Sequence, residues 1–449
     1  MISRLRCIVF ELASPASGDQ VPDVMIMQTS DVGSTAQPPL AHLAFFEAAG
    51  DQTDGQPEYR AAVAGLLAMR LVDRWVLAGA GDRPPTLREL EAVRRAIEHV
   101  DDGPVREILR NLDAALTTSW GKLARHVPVV LAAYGGILKK EGLFACAADV
   151  YSAVAAVAPL CDGKELVPPA YLEMGYCFRM VGGRLAEAER AYRRAGAIAN
   201  LQGDEYNALL SRIGLASVQL NRGNLPAAQE TLDTVISEIA TRPLPVDGPL
   251  KDVLARARHD RGVVAYQRKD YQTAAAFIHA AVNDYSDELR RTTALCDLGT
   301  AMVDLGLPDA ANDAYLVVYR TSPNRYWHTI AGLNLMRLAF LRDQETVFER
   351  YRQELSVGLA APQEAAYHEL VGEGLYRFGR EDAAREALTR AVDIATRCQL
   401  NQIRLESEAL LTEIVLGRRP KATFVEVQPP PLVRPVVHAL RDMREQVGV

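Results

Sequence analysis

The sequence predicts an all-α fold, a solenoid of helical hairpins, and three observations predict it. The first is a near-duplication between Ala257 and Val318. ARHDRGVVAYQRKDYQTAAAFIHAAV carries Gly262, Tyr271, Ala274, Ile278 and Ala281, and LCDLGTAMVDLGLPDAANDAYLVV carries Gly299, Gly306, Ala311, Tyr315 and Val318 at the matching places. In each copy a small residue sits mid-helix, a turn follows, and a second helix brings alanine and then a large apolar residue. Small residues let two backbones approach closely, and the large ones fill the space to the next hairpin. The second observation is that this arrangement recurs along most of the chain. The third is composition. With 49% hydrophobic and 24% charged residues the chain can fold, and repeats allow 449 residues to share a core without a domain-size limit.

Taken in order, residues 1–39 read as a disordered tail, because residues 12–39 are rich in Ser, Pro, Gly, Asp and Gln. MISRLRCIVF joins two arginines to a short apolar run, which hints at a signal peptide. Glu11 cuts that run after about five residues, below the usual 7–15, so a cytoplasmic location is expected and secretion is the minor alternative. A start at Met25 or Met27 is a further reading of this end.

Residues 40–127 form a helical region outside the repeat pattern. Leu40–Ala49 is a short apolar stretch, and Tyr59–Leu77 is a helix with a broad apolar face, ended by Gly79–Pro85. Thr86, with Glu89 three residues on, is a capping box opening a helix that carries Leu87, Leu90, Val93, Ile97 and Val100. Pro104 suits the first position of a third helix, through Leu116. A DNA-binding helix-turn-helix over 86–116 is disfavoured, because the surface is mixed in sign and the tight turn is missing. A cap over the first repeat's open edge is the better reading.

Repeats occupy residues 128–398, about seven hairpins. The first helix of each (helix A) places Gly135, Gly175, Ala216, Gly262, Gly299 and Gly372 in one slot, with Leu335 filling it in a degenerate copy. The turns hold Gly142, Gly183, Gly223, Lys269, Gly306 and Gly379. The second helix (helix B) brings Ala147, Ala188, Ala228, Ala274, Ala311 and Ala384, followed four residues later by Tyr151, Tyr192, Leu232, Ile278, Tyr315 and Leu388. The copy from Trp327 to Glu354 departs most, with Leu335 for the small residue and Val347 for the alanine. Residues 399–416 contain an amphipathic capping helix, and 417–449 form a Pro/Arg-containing tail with a short final helix over Pro435–Gln446.

This pattern resembles the tetratricopeptide repeat (TPR), whose period is about 34 residues. The helix-A positions from Gly175 to Gly372 are spaced 41, 46, 37, 36 and 37 residues apart, so helices or inter-repeat loops are longer here. The resemblance implies a right-handed superhelix whose A helices line a concave face and hold an extended peptide or a partner's helix. Position by position, it carries over to Arg256, His259 and Tyr266 in one hairpin, Asp297, Thr300 and Asp304 in the next, and Glu369, Glu373 and Tyr376 in a later one. The TPR clamp for a chaperone's C-terminal carboxylate needs Lys and Asn, and Ile213, Ser217, His259, Val263, Cys296 and Thr300 stand there instead. Trp120 and Trp327 read as packing anchors at hairpin junctions.

The residues that would carry catalysis are not arranged for it. There is no Walker loop, no G-x-S-x-G and no H-E-x-x-H, since His368-Glu369 is followed by LVGEG. Gly372, Gly374 and Gly379 lie in a repeat helix and its turn, with no strand before them. The eight histidines show no metal spacing, and His126, His279 and His438 read as surface or packing residues. No cofactor or metal is expected. The six scattered cysteines suit a reducing compartment, the net charge of −7 disfavours nucleic acid, and no apolar run approaches the roughly 20 residues of a membrane span. The expected function is therefore a non-catalytic scaffold or adaptor with a protein or peptide partner. The alternative is a ligand- or peptide-responsive sensor of the bacterial type. Nothing in the sequence sets the oligomeric state.

Overall fold

The structure, a computed structural model, describes residues 42–50, 56–79, 86–119, 124–181, 183–242, 248–398, 400–418 and 427–448. The tail 1–39, Cys7 and Trp120 lie outside the described residues. Within them the chain forms twenty α-helices, two short 3₁₀ turns and no strand. It divides into two compact units, and the chain passes from one to the other between Arg222 and Gly223.

The first unit holds α1 (Leu43–Gly50), α2 (Pro57–Gly79), α3 (Leu87–Glu98), α4 (Pro104–Thr118), α5 (His126–Lys140), α6 (Phe144–Val157), α7 (Val167–Val181), α8 (Leu185–Gln202) and α9 (Glu205–Asn221). Local chemistry sets several boundaries as read from the sequence. The Thr86 side chain accepts the Glu89 N–H while the Glu89 carboxylate accepts the Thr86 N–H, a complete capping box, and Pro104 occupies the first turn of α4. α2 packs on α1, α3 and α4, and α5 through α9 pack each on the next. Trp75 is fully buried and donates its indole N–H to Ser119 Oγ at 3.1 Å, which satisfies the one polar atom of a large core side chain.

Phe144–Cys161 corrects the expectation that no run approaches a membrane span, because it is long and apolar enough by length and composition. Its apolar side chains have a seat in this unit: Ala147, Val150, Val154 and Val157 are buried in one core with Leu131, Tyr134 and Cys177 of α5 and α7.

The second unit holds α10 (Leu225–Ala240), α11 (Pro249–Gln267), α12 (Tyr271–Asp284), α13 (Glu288–Asp304), α14 (Pro308–Thr321), α15 (Arg325–Leu341), α16 (Glu345–Glu354), α17 (Ala361–Arg377), α18 (Glu381–Arg397), α19 (Asn401–Val415) and α20 (Arg434–Gln446). Asp270, Asp287 and Asn324 cap α12, α13 and α15 through their side chains, each holding an otherwise unpaired N–H. The hairpins close as the sequence implies. A Cβ on Gly299 would lie 2.6 Å from the Tyr315 ring, and one on Gly262 or Gly372 would lie 2.5 Å from Ile278 or Leu388. Each helix-A glycine is thus the socket for the large residue of its own helix B.

The degenerate hairpin α15–α16 is shifted by one residue from the sequence reading. Gly262, Gly299 and Gly372 each stand seven residues before a turn residue of positive φ, namely Lys269, Gly306 and Gly379. In the degenerate copy that turn residue is Asp343, which puts Met336, not Leu335, in the slot, and Phe348, not Val347, in the alanine position. The bulk is received on the far side: a Cβ on Gly374 of α17 would lie 2.4 Å from the fully buried Phe348 ring. A large helix-B residue and a glycine on the following helix A have exchanged the usual sizes.

Candidate functional site

The A-type helices of the second unit are α11, α13, α15, α17 and α19, and their polar residues form a row of interlocked side chains. His259 on α11 places Nε2 2.9 Å from Asp297 Oδ2 on α13, and its Nδ1 lies 3.3 Å from the Tyr285 hydroxyl. About two turns further along, the Tyr266 hydroxyl donates to Asp304 Oδ2. Both pairs join residues 38 positions apart, so one repeat step carries each contact to the next helix. Further along, Arg337 of α15 acts electrostatically on both Asp304 and Glu369, and Glu369 of α17 hydrogen-bonds Glu406 of α19.

Burial decides the character of this row. His259 is 8% exposed, Asp297 4% and Thr300 5%, so these side chains are enclosed between helices rather than set out in solvent. Thr300 is turned into its own hairpin, where its hydroxyl donates to the Cys296 carbonyl and meets the Tyr315 hydroxyl at 3.0 Å. Arg256 and Tyr266 are half-buried. Glu373 pairs with Arg377 at 3.2 Å one turn along α17, and the buried Tyr376 hydroxyl has no hydrogen-bond partner among the described residues.

Charge in the row is held under tension. Burial raises the Asp304 pKa, against the opposing hydrogen bond of Tyr266 and the charge of Arg337. Burial likewise raises the Glu369 pKa well above its ordinary value, reinforced by the neighbouring Glu406 and relieved in part by Arg337. The direction follows from repulsion, since a second carboxylate nearby in a poorly solvated place disfavours the charged form.

Tyr376 is not alone in holding an unsatisfied buried atom. Asp297 Oδ1 and Asn334 Nδ2 have no hydrogen-bond partner among the described residues, although Asp297 is 4% and Asn334 6% exposed. They occupy the same repeat position, two residues before the slots at Gly299 and Met336, on consecutive A helices. One is an acceptor and the other a donor, and leaving either buried and unpaired costs about 1–3 kcal/mol. Asn334 and Arg337 were missed from sequence because the one-residue shift in this hairpin hid their alignment with Asp297 and Thr300. The signal that finds them is Asp343, counted back seven residues. Glu406 was missed because α19 read as a cap alone.

No protein-family model matches the sequence, and comparison with curated proteins gives no match. Solved structures provide distant likenesses. PilF of Pseudomonas aeruginosa is 18% identical over 56% of this chain and 99% of its own, with a TM-score of 0.40. The apo form of the quorum sensor NprR from B. thuringiensis is 11% identical over 82% and 91%, at 0.41. A Rap protein complexed with competence and sporulation factor is 12% identical over 80% and 98%, at 0.42. At these identities and scores the likeness assigns no function. The helices and their glycine sockets themselves identify the fold: an array of TPR-type helical hairpins.

Proposed function

We propose that this protein is a non-catalytic, cytoplasmic scaffold that holds an extended peptide segment of a protein partner against the A helices of the second unit. The observation that carries the reading is the unpaired acceptor of Asp297 and the unpaired donor of Asn334, at one repeat position of neighbouring helices. Both atoms are enclosed, so binding requires the side chains over them to part, and a peptide main chain then supplies both complements, an N–H for Asp297 and a carbonyl for Asn334. Packed helices lie about 8–10 Å apart and an extended chain advances about 3.3 Å per residue, so main-chain groups about three residues apart meet successive helices. Arg256, Tyr266, Glu373 and Tyr376 flank this pair as side-chain contacts, and His259 orients Asp297.

The sensor reading takes support from the same carboxylate, because a peptide N–H on Asp297 Oδ1 loads a group whose Oδ2 ties α11 to α13 through His259. A displayed random-peptide library panned against the full chain tests the proposal. Enriched peptides are expected to lose affinity at least tenfold on Asp297→Leu and on Asn334→Leu, with the helical circular dichroism retained. Equal affinity for both variants, or no enrichment at all, would overturn it.

A further inference from the structure

The last described segment does not extend the array. The Val427 N–H donates to the Gly306 carbonyl in the α13–α14 turn at 3.2 Å, and α20 then lies along α14 with a smaller contact to α12. Thus it seats on B helices, away from the row on the A helices. Its apolar stripe, Val433, Val436 and Leu440, is at most 3% exposed, while Arg434, His438, Arg441, Asp442 and Glu445 face outward. At the far end Arg444 Nη1 sits 2.9 Å from Asp313 Oδ1 of α14, and Asp313 is only 5% exposed.

The face that receives α20 differs from the same face elsewhere in the unit. On α14 it carries Ala310, Asp313 and Val317, all buried; the matching positions of α18 are Ala383, Glu386 and Arg390, of which Glu386 and Arg390 are exposed. One helix B has a soluble outer face, and the other has an apolar stripe with a buried carboxylate in its middle. Such a stripe needs a helix upon it, and such a carboxylate needs a cation. A 13-residue helix is marginal alone in water and depends on its seat for its shape. Its tether makes that seating intramolecular, so a free competitor faces a high effective concentration of the resident helix.

We propose that this face of α14, with the adjoining part of α12, is a second docking site, for an amphipathic helix of a protein partner, and that α20 occupies it as an internal stand-in. The partner helix that fits has apolar side chains at i, i+3 and i+7 and a basic residue one turn on, to reach Asp313. Release of α20 and entry of the partner are one exchange. The site is independent of the peptide reading above.

The probe is a fluorescent peptide with this chain's own residues 427–448, titrated against full-length protein. Wild-type chain should exclude it. Leu440→Asp, which unseats the resident helix, should bind it one-to-one and at least tenfold more tightly than wild type. Adding Asp313→Asn to that variant should weaken binding tenfold or more, the scale of a charge-assisted hydrogen bond. Arg444→Glu is the second means of unseating, should Leu440→Asp fail to fold. No binding by either unseated variant, or binding indifferent to Asp313→Asn, would overturn the site. A wild-type dimer growing with concentration in light scattering, and abolished by Leu440→Asp, would reassign its occupant to a second copy of this chain and overturn the partner reading.

Discussion

His42 makes the first unit's stability depend on pH in a direction that can be worked out. The ring stands just before α1, with φ of +49°, and its side chain is fully enclosed. Nδ1 lies 2.9 Å from Asp149 Oδ1 on α6, and Nε2 lies 3.1 Å from Asp73 Oδ2 on α2. Burial by itself pushes the imidazole pKa down, but the hydrogen bonds and charges of Asp149 and Asp73 outweigh it and raise the value from 6.5 to about 9. At about 1.36 kcal/mol for each tenfold change in proton affinity, that rise is worth about 3 kcal/mol. Because the folded value lies above the unfolded one, this contribution is complete below pH 6.5. It fades as the pH rises through about 9 and is gone beyond. Urea unfolding between pH 6 and pH 10 measures it, followed by Trp75 emission in a Trp120→Phe, Trp327→Phe background. Other groups titrate in that range, so the informative quantity is the difference from His42→Gln, which should shrink by about 3 kcal/mol from pH 6 to pH 10. Asp149→Asn, which leaves only Asp73, should move the transition to lower pH. An identical pH dependence for wild type and His42→Gln would refute the charged clamp.

Two further outcomes test the second unit. Phe348→Ala empties a fully buried ring site against Gly374 and should cost about 3–5 kcal/mol, whereas Val347→Ala, at a half-buried position, should cost about 1. The reverse order in denaturant titration would restore the unshifted register of the α15–α16 hairpin. His259→Ala strips Asp297 of its hydrogen-bond partner among the described residues and should cost about 1–3 kcal/mol. A surface-like loss below about 0.5 kcal/mol would place His259 in solvent after all.

The enclosure of His259 was not legible in the sequence. As a groove residue exposed to solvent, His259 would have been nearly neutral. Its position on α11 was legible from the repeat; its pairing with Asp297 depends on how closely α11 and α13 approach. The same holds for Glu369, whose neighbour Glu406 is 37 residues away and on a helix that looked like a simple cap. The degenerate hairpin shows the opposite case. Asp343 was available as a register mark, but a non-glycine turn residue does not advertise the left-handed conformation that it adopts. The tail is a third kind of difficulty. Its helix was readable from residues 435–446, yet nothing local says that Arg444 meets Asp313, 131 residues earlier.

By itself, then, the sequence determined what depends on residues near one another along the chain. The capping box at Thr86, the proline at the first turn of α4, and the helix-A sockets paired with the large residues of helix B all follow from short-range stereochemistry repeated several times. Tertiary structure alone decided which charges lose their water, which carboxyl groups come together, and where the C-terminal helix sits. Those depend on distances between helices far apart in sequence, and a buried polar atom takes its energy from whatever the fold brings beside it.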